Sequence, residues 1–195
     1  MDNKVKRAEM TLDEKKKVIA ESGVVLGIIL LLCYFFGFSY VWNTDYGSEA
    51  SVNGWNYVIA FFSGNYKGTG AVSAVLGNIG VPFNLYAKTY VRVLAVSVTI
   101  SMGILLLYVV ASCLNIKKYH AKLELVCMIL LYVLAVSYLE CIIVALTMNG
   151  SKILPIYCSR NPKCSIATLA FFPFFITLIA AIVHSVFIYK SKQEE

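Results

Sequence analysis

The chain has 195 residues, of which 59% are hydrophobic and only 14% are charged, and its formal net charge is +6. A soluble domain of this length does not need so much apolar surface, so the composition excludes an ordinary soluble protein and favours a membrane protein. The basic residues lie mainly in blocks between apolar stretches, which is typical of membrane topology signals. We therefore expect no nucleic-acid binding.

Four long apolar stretches follow one another along the chain, and each is long enough to cross a hydrocarbon core about 30 Å thick as a helix. They are residues 23–41, 91–112, 123–147 and 166–188. Ahead of the first stretch, Thr11 and Glu14 fit a capping box, so the first helix is expected to begin there. The sequence thus predicts an all-α membrane protein, a four-transmembrane-helix bundle that forms one domain over residues 1–195.

Lysine and arginine set the predicted orientation, because translocated loops disfavour basic residues near helix ends. Basic residues concentrate in the N-terminal segment 1–21, the loop 113–122 and the tail 189–195, which share one side if all four stretches span. We expect these segments, and hence both termini, to be cytoplasmic. Loops 43–90 and 148–165 are then outside, and the protein is a multi-pass integral membrane protein that we expect in the plasma membrane.

The first outer loop, residues 43–90, is long and rich in aromatic residues and glycine. Loops beyond about 15 residues without structure are uncommon, so we expect a small folded extracellular cap. Two folds fit: short strands form a small sheet capped by the second loop, or residues 71–81 form an amphipathic or re-entrant piece. The apolar run 54–62 is a strand or short helix, and it lies on the outer leaflet or on top of the bundle.

The second outer loop, residues 148–165, contains two cysteines, Cys158 and Cys164, on the predicted oxidising side. Disulfides form and persist in such compartments, so a disulfide that closes this short loop is predicted. The cysteines inside the apolar stretches are expected to remain reduced thiols that pack as small hydrophobic groups.

Trp42, the tripeptide Asn53-Gly54-Trp55, and Arg92 at the entry to the second stretch carry a family resemblance. Together with four spans and a long first outer loop, they resemble the claudin-like four-span superfamily, whose first-loop Trp, Gly-Leu-Trp and Arg help to build an extracellular sheet. The family's pair of first-loop cysteines is absent here, and asparagine and glycine replace the glycine and leucine of its tripeptide. The resemblance implies a role in lateral assembly, adhesion, paracellular barriers or channel regulation.

Two ionisable residues inside the apolar stretches are candidate functional residues. Glu140 costs at least about 2.5 kcal/mol to insert, so we expect it to face the bundle rather than lipid. Three interpretations remain open. Glu140 forms a structural hydrogen bond or an ion pair, for which Arg92 is the nearby cation; it is a protonated carboxyl in a dry site; or it is a cation or proton site. His184 lies too far along the bundle axis to pair with Glu140, and we expect it to serve in helix packing.

Gly23 and Gly27 form a Gly-xxx-Gly pattern, which allows close helix contact within the bundle or in a dimer. Common catalytic motifs, including the Walker loop, His-Glu-x-x-His and Gly-x-Ser-x-Gly, are missing from the sequence, and we expect no enzyme, cofactor or metal site. The preferred hypothesis is an assembly, adhesion or auxiliary subunit that contacts protein partners or further copies through its outer cap and helix faces in the lipid bilayer. The alternative is a small ion or solute transporter or channel subunit that uses Glu140.

Overall fold

A computed structural model describes seven ranges of the chain: residues 11–35, 37–43, 48–63, 85–117, 119–150, 162–166 and 171–194. These ranges contain five helices and three strands, and most of their residues are helical. In chain order the elements are α1 (Leu12–Cys33), β1 (Gly37–Asn43), β2 (Ser48–Asn53), α2 (Gly54–Ser63), α3 (Leu85–Lys117), α4 (Ala121–Gly150), β3 (Pro162–Ile166) and α5 (Phe171–Glu194).

Three helices are long and apolar enough to cross a membrane. The qualifying segments are Arg92–Lys117 in α3, Ala121–Val144 in α4 and Phe171–Gln193 in α5. Large apolar side chains remain on their outer faces: Leu107 on α3 and Ile179 on α5 are each 61% exposed. Such a surface is unfavourable in water and suits contact with lipid.

Helix α1 begins as the sequence predicted. The Thr11 hydroxyl accepts a hydrogen bond from the backbone N–H of Glu14 at 3.3 Å, and the Glu14 carboxylate accepts one from the backbone N–H of Thr11 at 2.8 Å. This reciprocal arrangement satisfies two of the N–H groups that have no partner inside the first helical turn. The predicted capping box is therefore confirmed.

The far end of α1 differs from the prediction, because the apolar stretch 23–41 is not one helix. Helix α1 ends at Cys33, and β1 begins at Gly37. Since Glu21 lies within α1, the helix has an uninterrupted apolar part only from residue 22 onward, which is about 18 Å long at 1.5 Å per residue. That length is shorter than a hydrocarbon core, and α1 is not among the three helices that qualify as spans.

The long helices pack side by side, with α4 between α3 and α5 and with α1 along α3. The core between them is formed by fully buried side chains, among them Leu94, Leu105 and Tyr108 of α3 and Leu131 and Leu134 of α4. We call the end with the short connection between α3 and α4 the turn end. The opposite end, where α1 finishes and α5 begins, is the sheet end.

A three-stranded antiparallel sheet has the order β2-β1-β3. Trp42 in the central strand is opposite Glu49 of β2 and Lys163 of β3. The sheet therefore joins the chain after α1 to the chain before α5, and β3 also contacts α4. Strands from both predicted outer loops meet in it. The alternative fold of residues 71–81 lies outside the described residues.

Candidate functional site

Asn53, Gly54 and Trp55 form the junction between the sheet and the helices. The Asn53 side-chain oxygen accepts a hydrogen bond from the backbone N–H of Asn56 at 2.9 Å, so Asn53 caps α2. The backbone N–H of Trp55 donates to the carbonyl oxygen of Tyr34, at the end of α1, at 3.2 Å. Both bonds use N–H groups from the first turn of α2, which would otherwise need water.

Side chains tighten the same junction. A Cβ atom at Gly54 would lie 2.8 Å from Cδ1 of Tyr34, so only glycine allows the two backbones to approach this closely. The rings of Trp55 and Phe35 are 5.5 Å apart between centroids and tilted by 48°, a favourable aromatic arrangement. The tripeptide therefore fixes α2, and with it β2, against the end of α1.

Glu140 lies in α4, near the sheet end, and is exposed rather than turned into the core. Its oxygen Oε1 accepts a hydrogen bond from the Ser97 hydroxyl of α3 at 3.0 Å. A hydroxyl group of α3 is therefore one hydrogen-bonding partner of this carboxylate. Arg92 is itself exposed and lies at the start of the apolar segment of α3.

A second polar contact between α3 and α4 lies beside this one. The hydroxyls of Ser101 and Ser137 are 2.7 Å apart, and the Ser101 hydroxyl lies 3.7 Å from the sulfur of Cys141. Ser101 also donates to the backbone oxygen of Ser97 at 2.9 Å. Hydrogen bonds between helices are a usual means of fixing helix pairs in membranes, because lipid offers polar groups no partner.

His184 of α5 pairs with a residue that sequence reasoning did not single out. Its Nδ1 lies 2.6 Å from Oε1 of Glu124 in α4, and Oε2 of Glu124 accepts a hydrogen bond from Nδ2 of Asn115 in α3 at 2.7 Å. The Asn115 side-chain oxygen accepts from the backbone N–H of His120, in the connection between α3 and α4, at 2.9 Å. This Asn115–Glu124–His184 cluster joins three helices at the turn end.

The Asn115–Glu124–His184 cluster is buried, and its polar side chains are hydrogen bonded to one another. The exposed fractions of its members are 1% for Asn115, 1% for Glu124 and 4% for His184. Each carboxylate oxygen already has a partner, and the described residues include no group of three potential metal ligands. Carboxylate and imidazole are arranged as in many catalytic dyads, but no serine or cysteine of the described ranges hydrogen bonds to His184. Through these hydrogen bonds the cluster links α5 to α4 and α4 to α3.

Further residues at four-residue spacing, Pro173, Thr177, Ala181 and Ser185, lie along α5 beside His184. Thr177 donates to the carbonyl oxygen of Pro173 at 2.5 Å, and Ser185 donates to that of Ala181 at 2.8 Å. Thr177 and Ala181 are completely buried. His184 thus lies on a packed helix face, and its hydrogen bond to Glu124 gives this face a fixed position along α4.

The Gly-xxx-Gly pattern contacts α3 of the same chain. A Cβ atom at Gly23 would lie 3.1 Å from the Ser112 hydroxyl, and one at Gly27 would lie 2.5 Å from Cγ2 of Val109. The absence of side chains at these two positions lets α1 and α3 approach closely. The glycine within α3, Gly103, has no such neighbour within 4 Å.

Not every predicted site residue can be placed. Cys164 lies in β3, where its backbone is opposite Val41 of β1, but Cys158 lies outside the described residues, and so does their predicted disulfide. The free thiols among the described cysteines are Cys33, Cys113, Cys127 and Cys141. Trp42 is at the centre of the sheet, at a position that pairs on both sides.

The apolar helices define the class of the protein, which is a helical integral membrane protein. No protein-family model and no curated protein matches its sequence.

Proposed function

We propose that this protein is a four-span assembly, adhesion or auxiliary subunit whose folded cap and helix faces contact protein partners or further copies of the chain. The proposal includes a fourth span to which α1 contributes, cytoplasmic termini, a plasma-membrane location and an extracellular sheet, as in the claudin-like superfamily. It also includes a disulfide between Cys158 and Cys164, which would link the second outer loop to β3.

The observation that carries the proposal is the way the sheet is built and attached. Its strands come from two loops at the same end of the helices, and Asn53-Gly54-Trp55 fixes the first of these loops to α1. A surface held by paired backbone and buried contacts has the fixed shape that specific recognition needs. The buried Asn115–Glu124–His184 cluster connects helix to helix, and its carboxylate oxygens are already occupied by protein partners rather than free for a substrate.

Purification in mild detergent tests this proposal. Chains with two different tags are coexpressed, and copies and cross-linked partners are recovered for the native protein, for Trp55→Ala and for Trp55→Phe. We expect Trp55→Ala to lose the complexes, because its ring no longer holds the junction at Phe35, whereas Trp55→Phe retains an aromatic contact and the complexes. Thermal unfolding of each variant is the control that checks whether the helices remain folded. Unchanged complexes with Trp55→Ala would overturn the proposal.

A second candidate function is transport of a small ion or solute, and the position of Glu140 is the observation that favours it. The carboxylate of Glu140 is exposed and lies beside a row of hydroxyls from Ser97, Ser101 and Ser137. Acidic and hydroxyl side chains in membrane helices commonly line ion pathways. Flux measurements on Glu140→Gln in vesicles separate this candidate from the first.

A further inference from the structure

Helix α1 leaves part of α3 uncovered on the side towards the sheet. The contacts of Gly23 with Ser112 and of Gly27 with Val109 show that the two helices run antiparallel and fix their register. Helix α1 ends at Cys33, six residues after Gly27. In this register, Cys33 lies level with approximately Gly103 of α3. The apolar segment of α3 extends beyond that point to Arg92, which leaves about 16 Å of helix without a neighbour in α1.

Helix α2 has the length and the position to cover this part of α3. It contains 10 residues and is therefore about 15 Å long. It packs against α3. Its buried residues Tyr57, Val58 and Ala60 belong to the same core as three residues in the uncovered part of α3, namely Leu94, Ala95 and Val98.

The exposed large side chains of α2 have the chemistry of a lipid-facing surface. No residue of Gly54–Ser63 is charged, and the side chains of Ile59, Phe61 and Phe62 are 50%, 38% and 76% exposed. Phe62 is the most exposed large apolar side chain in the described part of the chain. In the same part of α3 that α1 leaves uncovered, Ile100 is also apolar and 55% exposed.

Two backbone N–H groups in the first turn of α2 have partners within the protein. They donate to the Tyr34 carbonyl and the Asn53 side chain. In a hydrocarbon layer, backbone polar groups need partners within the protein, so a helix that begins at membrane depth requires such capping.

We propose that α2 lies within the hydrocarbon layer of the leaflet on the sheet side, where it completes the wall that α1 leaves short and places Ile59, Phe61 and Phe62 against lipid acyl chains. The fourth span is then composite, with α1 and α2 stacked at the Tyr34–Gly54 contact. The inference rests on the membrane placement of the long helices but not on assembly or adhesion. It names the occupant of the exposed face of α2 as lipid rather than a protein partner.

Fluorescence quenching in reconstituted vesicles tests the placement of α2. In the full chain with Trp42→Phe and Trp55→Phe, a single indole is introduced by Phe62→Trp, by Ile59→Trp as a second variant, or by Ile179→Trp on α5 as the control. The vesicles contain phosphatidylcholine with brominated acyl chains. We expect the indoles at the two α2 positions to lose most of their emission in brominated lipid, as in the control, and to be protected from acrylamide.

Two results would overturn the inference. If acrylamide quenches the indoles in α2 while brominated lipid quenches only the α5 control, α2 lies in water. If brominated lipid fails to quench the Ile179→Trp control as well, the membrane placement of the long helices is itself wrong. A loss of assembly in the Trp55→Ala experiment has no bearing on either result, so the two proposals fail separately.

Discussion

Replacement of Glu124 by alanine is the sharpest test of the helix contacts. The carboxylate is 1% exposed and accepts from Asn115 at 2.7 Å while it pairs with His184 at 2.6 Å. Alanine removes the carboxylate that Asn115 and His184 share, and it leaves their amide and imidazole groups buried without this partner. The two stranded groups belong to different helices, so the contacts of α4 with α3 and with α5 weaken together.

The size of the effect follows from the number of groups left without partners. A hydrogen bond between membrane helices contributes about 0.6 kcal/mol on average and up to about 1.7 kcal/mol, and a buried polar group left unsatisfied costs about 1–3 kcal/mol. With two groups affected and two short bonds lost, we expect Glu124→Ala to lower the free energy of unfolding by about 2–4 kcal/mol. Glu124→Gln keeps one acceptor oxygen, and we expect about half of that loss.

Reversible unfolding in mixed micelles, followed by circular dichroism as sodium dodecyl sulfate is added, measures these differences. Glu21→Ala is the matched control, because Glu21 is an acidic residue of a long helix whose side chain is 51% exposed and only 3.8 Å from that of Lys17. We expect it to change stability by less than about 0.5 kcal/mol. If Glu124→Ala unfolds within about 1 kcal/mol of Glu21→Ala, the Asn115–Glu124–His184 cluster does not hold the helices together.

Three further predictions use the same unfolding assay or simple chemistry. We expect Gly27→Ala to lower the free energy of unfolding by about 1–3 kcal/mol, because the added methyl group overpacks against α3. A Cβ atom at Gly103 would meet no atom within 4 Å, so we expect Gly103→Ala to leave this free energy unchanged or to raise it by up to about 1 kcal/mol. Equal effects of the two changes would contradict the close approach of α1 to α3. Glu140→Gln retains an acceptor for the Ser97 hydroxyl, so we expect a free energy of unfolding within about 1 kcal/mol of that of the native protein and unchanged association with protein partners. Loss of ion flux in this variant would favour the transport function. Alkylation followed by mass spectrometry is expected to modify Cys158 and Cys164 only after reduction, and modification without a reductant would exclude their disulfide.

Much of the helical architecture follows from hydropathy. The segments of α3, α4 and α5 were recognisable because long apolar runs with few charges have only one stable form in lipid. The end of α1 was not recognisable in the same way. The residues after Cys33, beginning with Tyr34 and Phe35, are largely aromatic, and aromatic side chains are apolar in a helix and in a strand alike. The apolar run therefore continues past Cys33 although the helix ends there.

The candidate site was predictable in part. Thr11 and Glu14 form a local pair whose spacing alone indicates a capping box. Glu124 was missed because an acidic residue at the border of an apolar run is hard to distinguish from a charged residue of the adjoining loop. Only the packing of α3, α4 and α5 brings Glu124 to His184. A carboxylate that follows a short helix connection, with a histidine elsewhere in an apolar run, is the signal that would have found this pair.

The pairing of β1 with β3 has a consequence for the biogenesis of the protein. Strand β1 leaves the ribosome before α3 and α4, and β3 follows both, so one edge of β1 has no partner from β3 until the two intervening helices have been made. Open strand edges are prone to pair with other chains. The sheet can close only when both loops have reached the same side of the membrane. A chain in which the two loops lay on opposite sides of the membrane would therefore keep this edge of β1 open.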